Sequence, residues 1–167
     1  MEFQILILEV LGLVIFLFWI SVAFLGAPFE STSRKTLKKM IEFSKIKKGD
    51  IVADLGSGNG KVVIEFAKLG IEAHGFEINH FLVWFSRRKI KKLNLEKKAF
   101  IHRKNFWKQN LSKFDVISIF QVGYIMGKLE RKLKRELKHG SRVVSNTWKF
   151  PNWKYNKKDK WVFLYEV

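Results

Sequence analysis

The chain has 167 residues, enough for about one domain and an appendage. It has no cysteine, which excludes disulfides and thiolate metal sites, and its four histidines (His74, His80, His102, His139) are scattered without ligand spacing, so no metal site is expected. With 32 Lys and Arg against 15 Asp and Glu, the net charge of +17 points to an anionic partner: nucleic acid, an anionic membrane face or an acidic protein surface. A generally lysine-rich composition accounts for the same charge without a partner.

From Ile5 to Leu25 only Glu9 is charged. As a helix this stretch spans roughly 30 Å, enough to cross a hydrocarbon core. A cleaved signal peptide is disfavoured because the chain starts with Glu2 and no basic residue. The expectation is a retained transmembrane anchor over residues 1–27, followed by one domain over residues 28–167. Arg34, Lys35, Lys38 and Lys39 lie just behind the apolar run and no Lys or Arg lies ahead of it. The positive-inside rule then puts the domain in the cytoplasm, at the membrane surface.

Ser31, Thr32 or Ser33 is positioned to cap a helix in which Leu37, Met40 and Ile41 recur at helical spacing. Lys47-Lys48-Gly49-Asp50 is expected to end that helix. The apolar run Asp50-Ile51-Val52-Ala53 reads as a buried strand, Lys61 to Lys68 as a helix, and Ile71 to Phe76 as a second strand. A basic amphipathic helix is expected from His80 to about Leu93, then a short strand at Ala99–His102 and a fourth at Phe114–Phe120. A helix from about Met126 to Lys138, closed by His139-Gly140, leads into a fifth strand at Ser141–Ser145. Asn146 to Lys160 reads as loop, and Trp161 to Val167 alternates like a final antiparallel strand. Strands alternating with helices imply a mostly parallel sheet with helices on both faces, with ligands beyond the carboxyl ends of the strands.

Between the first strand and its helix lies Asp54-Leu55-Gly56-Ser57-Gly58-Asn59-Gly60. Glycines at every second position allow a sharp turn and close approach to a ligand, and a helix start offers unpaired N–H groups. The dinucleotide fingerprint G-x-G-x-x-G is not met, since Lys61 stands where its third glycine belongs, and no Walker loop occurs. Asp54 would repel a pyrophosphate but suits the cationic end of an amino-acid-bearing cofactor. Glu77, at the end of the second strand, can accept both hydroxyls of a ribose.

These residues resemble the class I methyltransferases that use S-adenosyl-L-methionine, with a Rossmann-like fold. The resemblance implies that Asp54, Gly56, Ser57, Gly58, Asn59 and Gly60 hold the methionine end and Glu77 the ribose. It places Ile78 beside the adenine and Asn105 and Phe106 at its amine and ring; Asn105 stands where the family usually has Asp. The entry Pro28-Phe29-x-x-Thr32 and the run Lys128–Ser145 are similar to one subgroup, the membrane-anchored protein-lysine methyltransferases related to the mitochondrial enzymes for the ATP synthase c protein and the adenine nucleotide translocase. That implies a protein substrate at or in the membrane. Thr32 either closes over the cofactor or caps the helix. Subgroup members tend to carry Pro after the fourth strand, where Val122 stands here.

Methyl transfer to an amine needs in-line positioning and a neutral nucleophile more than a strong base, so no catalytic residue is assigned. Trp107, Tyr124 and Trp148 are candidates for the walls of a lysine channel, because aromatic faces accept a methylammonium; Gln121 and Val122 lie at the same rim. Ordinary packing is the competing reading for each. The run Arg87, Arg88, Lys89, Lys91, Lys92, Lys97 and Lys98 is either a solvated helix face or a contact with anionic lipid. Two other functions stay open: methylation of RNA or another nucleic acid, and a non-catalytic membrane-anchored binding module of the same fold.

Overall fold

The computed structural model describes residues 2–25, with side chains over residues 4–16, and residues 32–167. The chain divides into two compact units, one within residues 1–30 and one within residues 31–167.

The first unit is a helix, α1 (Glu2–Leu25). Its described apolar side chains, Ile5 to Phe16, stand about half exposed. Among the described residues no helix is long and apolar enough to cross a membrane; the described side chains of α1 cover about 20 Å at ~1.5 Å per residue, short of the roughly 30 Å of a bilayer core. The expected spanning helix is therefore not met within them.

The second unit is built on a seven-stranded sheet: β1 (Ile51–Leu55), β2 (Glu72–Glu77), β3 (Ala99–Arg103), β4 (Val116–Ile119), β5 (Arg142–Asn146), β6 (Lys157–Asp159) and β7 (Val162–Glu166). The spatial order is β3-β2-β1-β4-β5-β7-β6; the first five are parallel, and β7 pairs antiparallel with both β5 and β6. The helices are α2 (Arg34–Ser44), α3 (Lys61–Lys68), α4 (His80–Lys92) and α5 (Met126–Glu136).

Alternation along the strands sorts the core into two faces. Val52, Ala73, Ala99, Ile101 and Val116 point to one side, where Leu37 of α2, Val63 and Phe66 of α3, and Val83 and Ile90 of α4 pack on them. Met40 and Phe43 of α2 extend this layer over Val144, Val162 and Leu164. Ala53, Leu55, Ile117, Val143, Phe163 and Tyr165 point to the other side, against Met126, Leu129 and Leu133 of α5. The result is a three-layer, mixed α/β Rossmann-like unit with helices on both faces, as the alternation of predicted elements implies.

One open choice is settled and three local expectations need correction. Ser33 is the N-cap of α2: its hydroxyl accepts from Thr36 N at 3.1 Å, which leaves Thr32 without that role. The helix ends at Ser44, where Lys45 turns left-handed (φ 44°), earlier than the Lys47–Asp50 stop. Its end is held by buried Arg142, which donates to Ser44 O (2.9 Å), Lys45 O (2.5 Å) and Asp50 Oδ2 (2.7 Å). α5 stops at Glu136, ahead of His139-Gly140, because Leu137 is already extended. Within the stretch expected as loop, Lys157–Asp159 form β6. Its charged side chains give no apolar alternation, and pairing with β7 alone makes it a strand. Such charges also blunt the sheet edge.

Candidate functional site

Because β1 to β5 run parallel, their carboxyl ends share one rim. The register aligns Leu55 with both Phe76 and Ile119, Ile119 with Ser145, and Glu77 with Arg103. The loops that leave this rim carry the glycine turn, Ile78, Asn105 to Trp107, Gln121 to Tyr124, and Trp148.

The glycine turn is made by backbone. Gly56, Gly58 and Gly60 have φ of 80°, 50° and 73°, a region costly for any residue with a Cβ. Gly56 N and Ser57 N both donate to Phe76 O, at 2.9 and 3.0 Å, so the turn is hung from β2. Space is as restrictive as torsion: a Cβ on Gly56 would lie 2.2 Å from Gln121 Nε2. That amide in turn donates to Leu55 O at 2.7 Å, so Gln121 braces the end of β1. Asn59 Oδ1 accepts from Lys61 N at 3.2 Å, and Gly60 heads α3 with no side-chain cap. The Lys61 ammonium donates to the carbonyl of Thr32, which is buried, and so draws the start of the unit onto α3.

Two carboxyls sit under the turn. Asp54 is 5% exposed. Burial pushes its pKa up to about 7; the nearby Ser118 hydroxyl pulls it down in part without closing a well-formed hydrogen bond, and the Glu77 charge adds to the rise. No Lys, Arg or His pairs with Asp54 among the described residues. Glu77 is satisfied differently. Its Oε2 accepts from Gly58 N (2.9 Å), and its Oε1 from Ile78 N and Asn79 N (both 2.8 Å). These use three of about four lone-pair positions on a carboxylate. One remains for an incoming hydroxyl, where the sequence suggested two. Ser57 Oγ and Ser118 Oγ are buried with no hydrogen-bond partner among the described residues, and such groups call for one. A buried carboxyl awaiting a cation, orphaned hydroxyls and a Cβ-free loop fit a ligand with an ammonium and a polar backbone.

The remaining predicted residues are more open. Ile78 is 51% exposed. Asn105 is exposed, and its Oδ1 accepts from Trp107 N at 2.9 Å, capping a 3₁₀ turn at Phe106–Lys108. That oxygen is committed locally, while the amide N–H groups are not. Phe106 and Trp107 are partly buried against the α5-side core, with ring centroids 4.8 Å apart. The Trp107 ring already carries a cation, Lys128 Nζ at 4.9 Å from its centroid. Val122 leads a second 3₁₀ turn, Gly123–Ile125, on which Tyr124 is 87% exposed. Trp148 packs its ring on Gly123, where a Cβ would meet it at 2.8 Å, so the loops after β4 and β5 are locked together. Tyr124 and Trp148 thus share one patch of rim, and Trp107 reaches the neighbouring α5 through Lys128. The entry Pro28-Phe29 lies outside the described residues.

Some contributors were not expected from sequence. Ser86 is fully buried; its hydroxyl lies 2.6 Å from Leu82 O and 3.0 Å from Gly58 O, and its Cβ would be 3.0 Å from a Cβ on Gly60. Its signal was a small polar residue on the buried line Val83–Ser86–Ile90. Gly75 makes room for Ser57, whose Oγ would be 2.5 Å from a Cβ there; a glycine inside a strand was the clue. The histidines are not all scattered either. His74 Nδ1 and His102 Nε2 are 2.9 Å apart on adjacent strands, with Glu72 Oε1 2.9 Å from His74 Nε2. Burial holds His74 below the usual range and His102 down at about 4, helped by the His74 charge. Among the described residues no group of three or more His, Cys, Asp or Glu is placed to hold a metal ion.

Residues 54–157 match the ANTKMT methyltransferase domain. The chain is 35% identical over 126 residues to the ATP synthase c lysine N-methyltransferase of Homo sapiens, covering 75% of this chain and 54% of that protein. It is 34% identical over 128 residues to a protein-lysine N-methyltransferase of Saccharolobus islandicus, covering 75% of this chain and 80% of that one. The adenine nucleotide translocase lysine N-methyltransferase of Mus musculus is 32% identical over 130 residues, or 77% of this chain and 56% of its own length. The chain thus spans about half the length of the animal relatives. Among solved structures, an RNA methyltransferase from Salinibacter ruber in complex with S-adenosyl-L-homocysteine superposes with a TM-score of 0.76 at 23% identity, over 81% of this chain and 91% of that one. That likeness is one of fold. From Asp54 at the glycine corner to Lys157 at the start of β6, the chain belongs to the ANTKMT methyltransferase domain family.

Proposed function

We propose that the chain is an S-adenosyl-L-methionine-dependent methyltransferase that N-methylates lysine in a protein at or in a membrane. The observation that carries the cofactor is the corner itself, with a buried Asp54 lacking a cation, a turn of three left-handed glycines, and Glu77 fastened to that turn through Gly58. Asp54 receives the ammonium, and Gly56 to Gly60 give the ligand close backbone contact. Glu77 accepts one ribose hydroxyl, and Ile78, Asn105 and Phe106 border the adenine. Thr32, tied to Lys61, covers the methionine end. When bound, the cofactor would supply a methyl on a sulfonium as the electrophile for an uncharged amine. Trp107, Gln121, Val122, Tyr124 and Trp148 then orient the lysine and strip its water, which favours the neutral amine.

The substrate class rests on relatives at 32–35% identity that are named as protein-lysine N-methyltransferases. The membrane rests on α1, whose described apolar side chains are about half exposed. In this reading residues 1–27 anchor the chain and residues 28–167 form the catalytic domain at the cytoplasmic face.

Calorimetry with S-adenosyl-L-methionine tests the cofactor. Micromolar binding that Glu77→Ala weakens supports it; no binding, or binding indifferent to that change, overturns the enzyme reading in favour of a non-catalytic module. Membranes incubated with methyl-labelled cofactor test the acceptor. Label in a protein band at lysine is expected, and label confined to RNA rejects the lysine assignment. Extraction of the full chain at alkaline pH tests the anchor, since release from membranes would refute it.

A further inference from the structure

The outer side of α4 combines features that catalysis does not use. Only Val83, Ser86 and Ile90 of this helix are buried, and none of its 13 residues is acidic. Phe81 is 79% exposed, and Trp84 and Phe85 are 51% exposed. Leu93 follows, also exposed. Water is a poor environment for such a run of large apolar side chains on one surface. Cations are set among them. The Arg88 guanidinium lies 4.3 Å from the centre of the Trp84 ring. Arg87 is pinned to Ile101 O by Nε (3.0 Å) and by a second guanidinium nitrogen (2.7 Å). A groove of about 380 Å³ opens here, floored by Val83 and lined by His80, Trp84, Arg87, Arg88, Lys91 and Arg103. None of Arg87, Arg88, Lys91 and Arg103 forms an ion pair among the described residues.

We propose that this face of α4 is a membrane-docking surface. Phe81, Trp84 and Phe85 enter the headgroup layer of an anionic bilayer, and the Arg87–Arg88–Lys91–Arg103 groove receives a lipid phosphate. Aromatic side chains interleaved with Arg and Lys on one helix are the composition of an interfacial helix. Charge complementarity fixes an anionic partner. A bilayer is favoured over a nucleic acid because α1 of the same chain also exposes apolar side chains, which a polyanion in water does not cover. α4 starts three residues after Glu77, so a docked α4 brings the strand-end rim to the membrane surface. The proposal stands apart from the identity of the methyl acceptor.

The absence of cysteine allows one label at a chosen place. Full-length Phe85→Cys carrying an environment-sensitive fluorophore is reconstituted through α1 into phosphatidylcholine vesicles or into vesicles containing phosphatidylglycerol. The expected result is a blue-shifted, brighter emission with the anionic vesicles alone. A label at Trp161→Cys, exposed at the opposite sheet edge, stays unchanged. Adding Arg88→Glu/Lys91→Glu shifts the docking equilibrium of the label, read from the emission change, by at least about tenfold towards the undocked state. Lys47→Glu/Lys48→Glu, an equal charge change on another surface, leaves it in place. Cofactor binding by each variant confirms that it is folded. Equal emission with both vesicle types, equal effects of the two charge reversals, or a shift produced by an oligoribonucleotide and not by vesicles would each overturn the proposal.

Discussion

The two halves of the strand-end rim are built in opposite ways. At β1 and β2 the backbone does the work: Gly56 and Ser57 hang from Phe76 O, Gly58 from the Glu77 carboxylate, and Gln121 and Ser86 fill the space that the glycines vacate. At β4 and β5 the rim is made of side chains on short turns, with Tyr124 almost fully exposed and Trp148 half exposed. The first half leaves no room for a substituent, and the second leaves the surface free. A closed half suits one small ligand of fixed shape, whereas an open half suits a macromolecular partner that completes the wall itself.

The contrast is broken most severely at Asp54. Asp54→Asn should weaken S-adenosyl-L-methionine binding by roughly a hundredfold, since a buried ion-pair partner is worth about 2–5 kcal/mol. The ligand-free protein should behave in the reverse sense. A carboxyl whose native pKa is raised from 3.8 to about 7 binds more protons folded than unfolded, so it costs stability as pH rises through that window. Asp54→Asn should therefore raise the apo melting temperature above pH 7 while abolishing cofactor-induced stabilisation; a lowered apo melting temperature at pH 8 would show that burial does not strain this carboxyl. For the wild type, calorimetric affinity should fall by up to about tenfold per pH unit below pH 7, as Asp54 takes up a proton.

Gly56→Ala comes next. The φ of 80° and the 2.2 Å approach to Gln121 should together cost about 1–3 kcal/mol in denaturant unfolding. Adding Gln121→Ala relieves the clash but not the torsion, so partial recovery in a double-mutant cycle is the expected outcome. Full recovery would mean that the torsion costs nothing.

A smaller effect lies away from the rim. His102 is held neutral by burial, so its contribution is present above its unfolded pKa of about 6.5 and is lost as pH falls towards 4. His102→Phe should flatten the decline of melting temperature across pH 6.5 to 4; an unchanged slope would remove the His74–His102 pair from the account. The smallest structural effect belongs to Tyr124→Ala, which should alter stability by no more than about 0.5 kcal/mol, as for other exposed sites. A raised KM for the protein acceptor with cofactor affinity unchanged is the result that would mark the open half as the substrate side.

Much of the closed half was legible in the sequence because its requirements are local. An acid, alternate glycines and a second acid one strand later follow from torsion and charge at fixed spacing. Ser86 and Gly75 were not legible, because they matter only where α4 and β2 cross the loop. Asn105 was legible as a strand-end residue, but not that its carbonyl would be taken by Trp107 N. The open half was least legible. Aromatic residues at strand ends signal packing and binding alike, and only exposure separates buried Phe150 from free Tyr124.

By itself the sequence determined the order of strands and helices, the glycine corner with its two carboxyls, the apolar N-terminal helix and the excess of positive charge. Each is a property of neighbours along the chain: periodicity, torsional freedom, or composition. Tertiary structure alone decided the β3-β2-β1-β4-β5-β7-β6 order, the strand made of Lys157–Asp159, the joining of His74 to His102, and the cationic groove that Arg103 of β3 completes beside α4. Those features depend on which distant segments meet. Sheet pairing and desolvation set that, and neither is written at a fixed spacing in the chain.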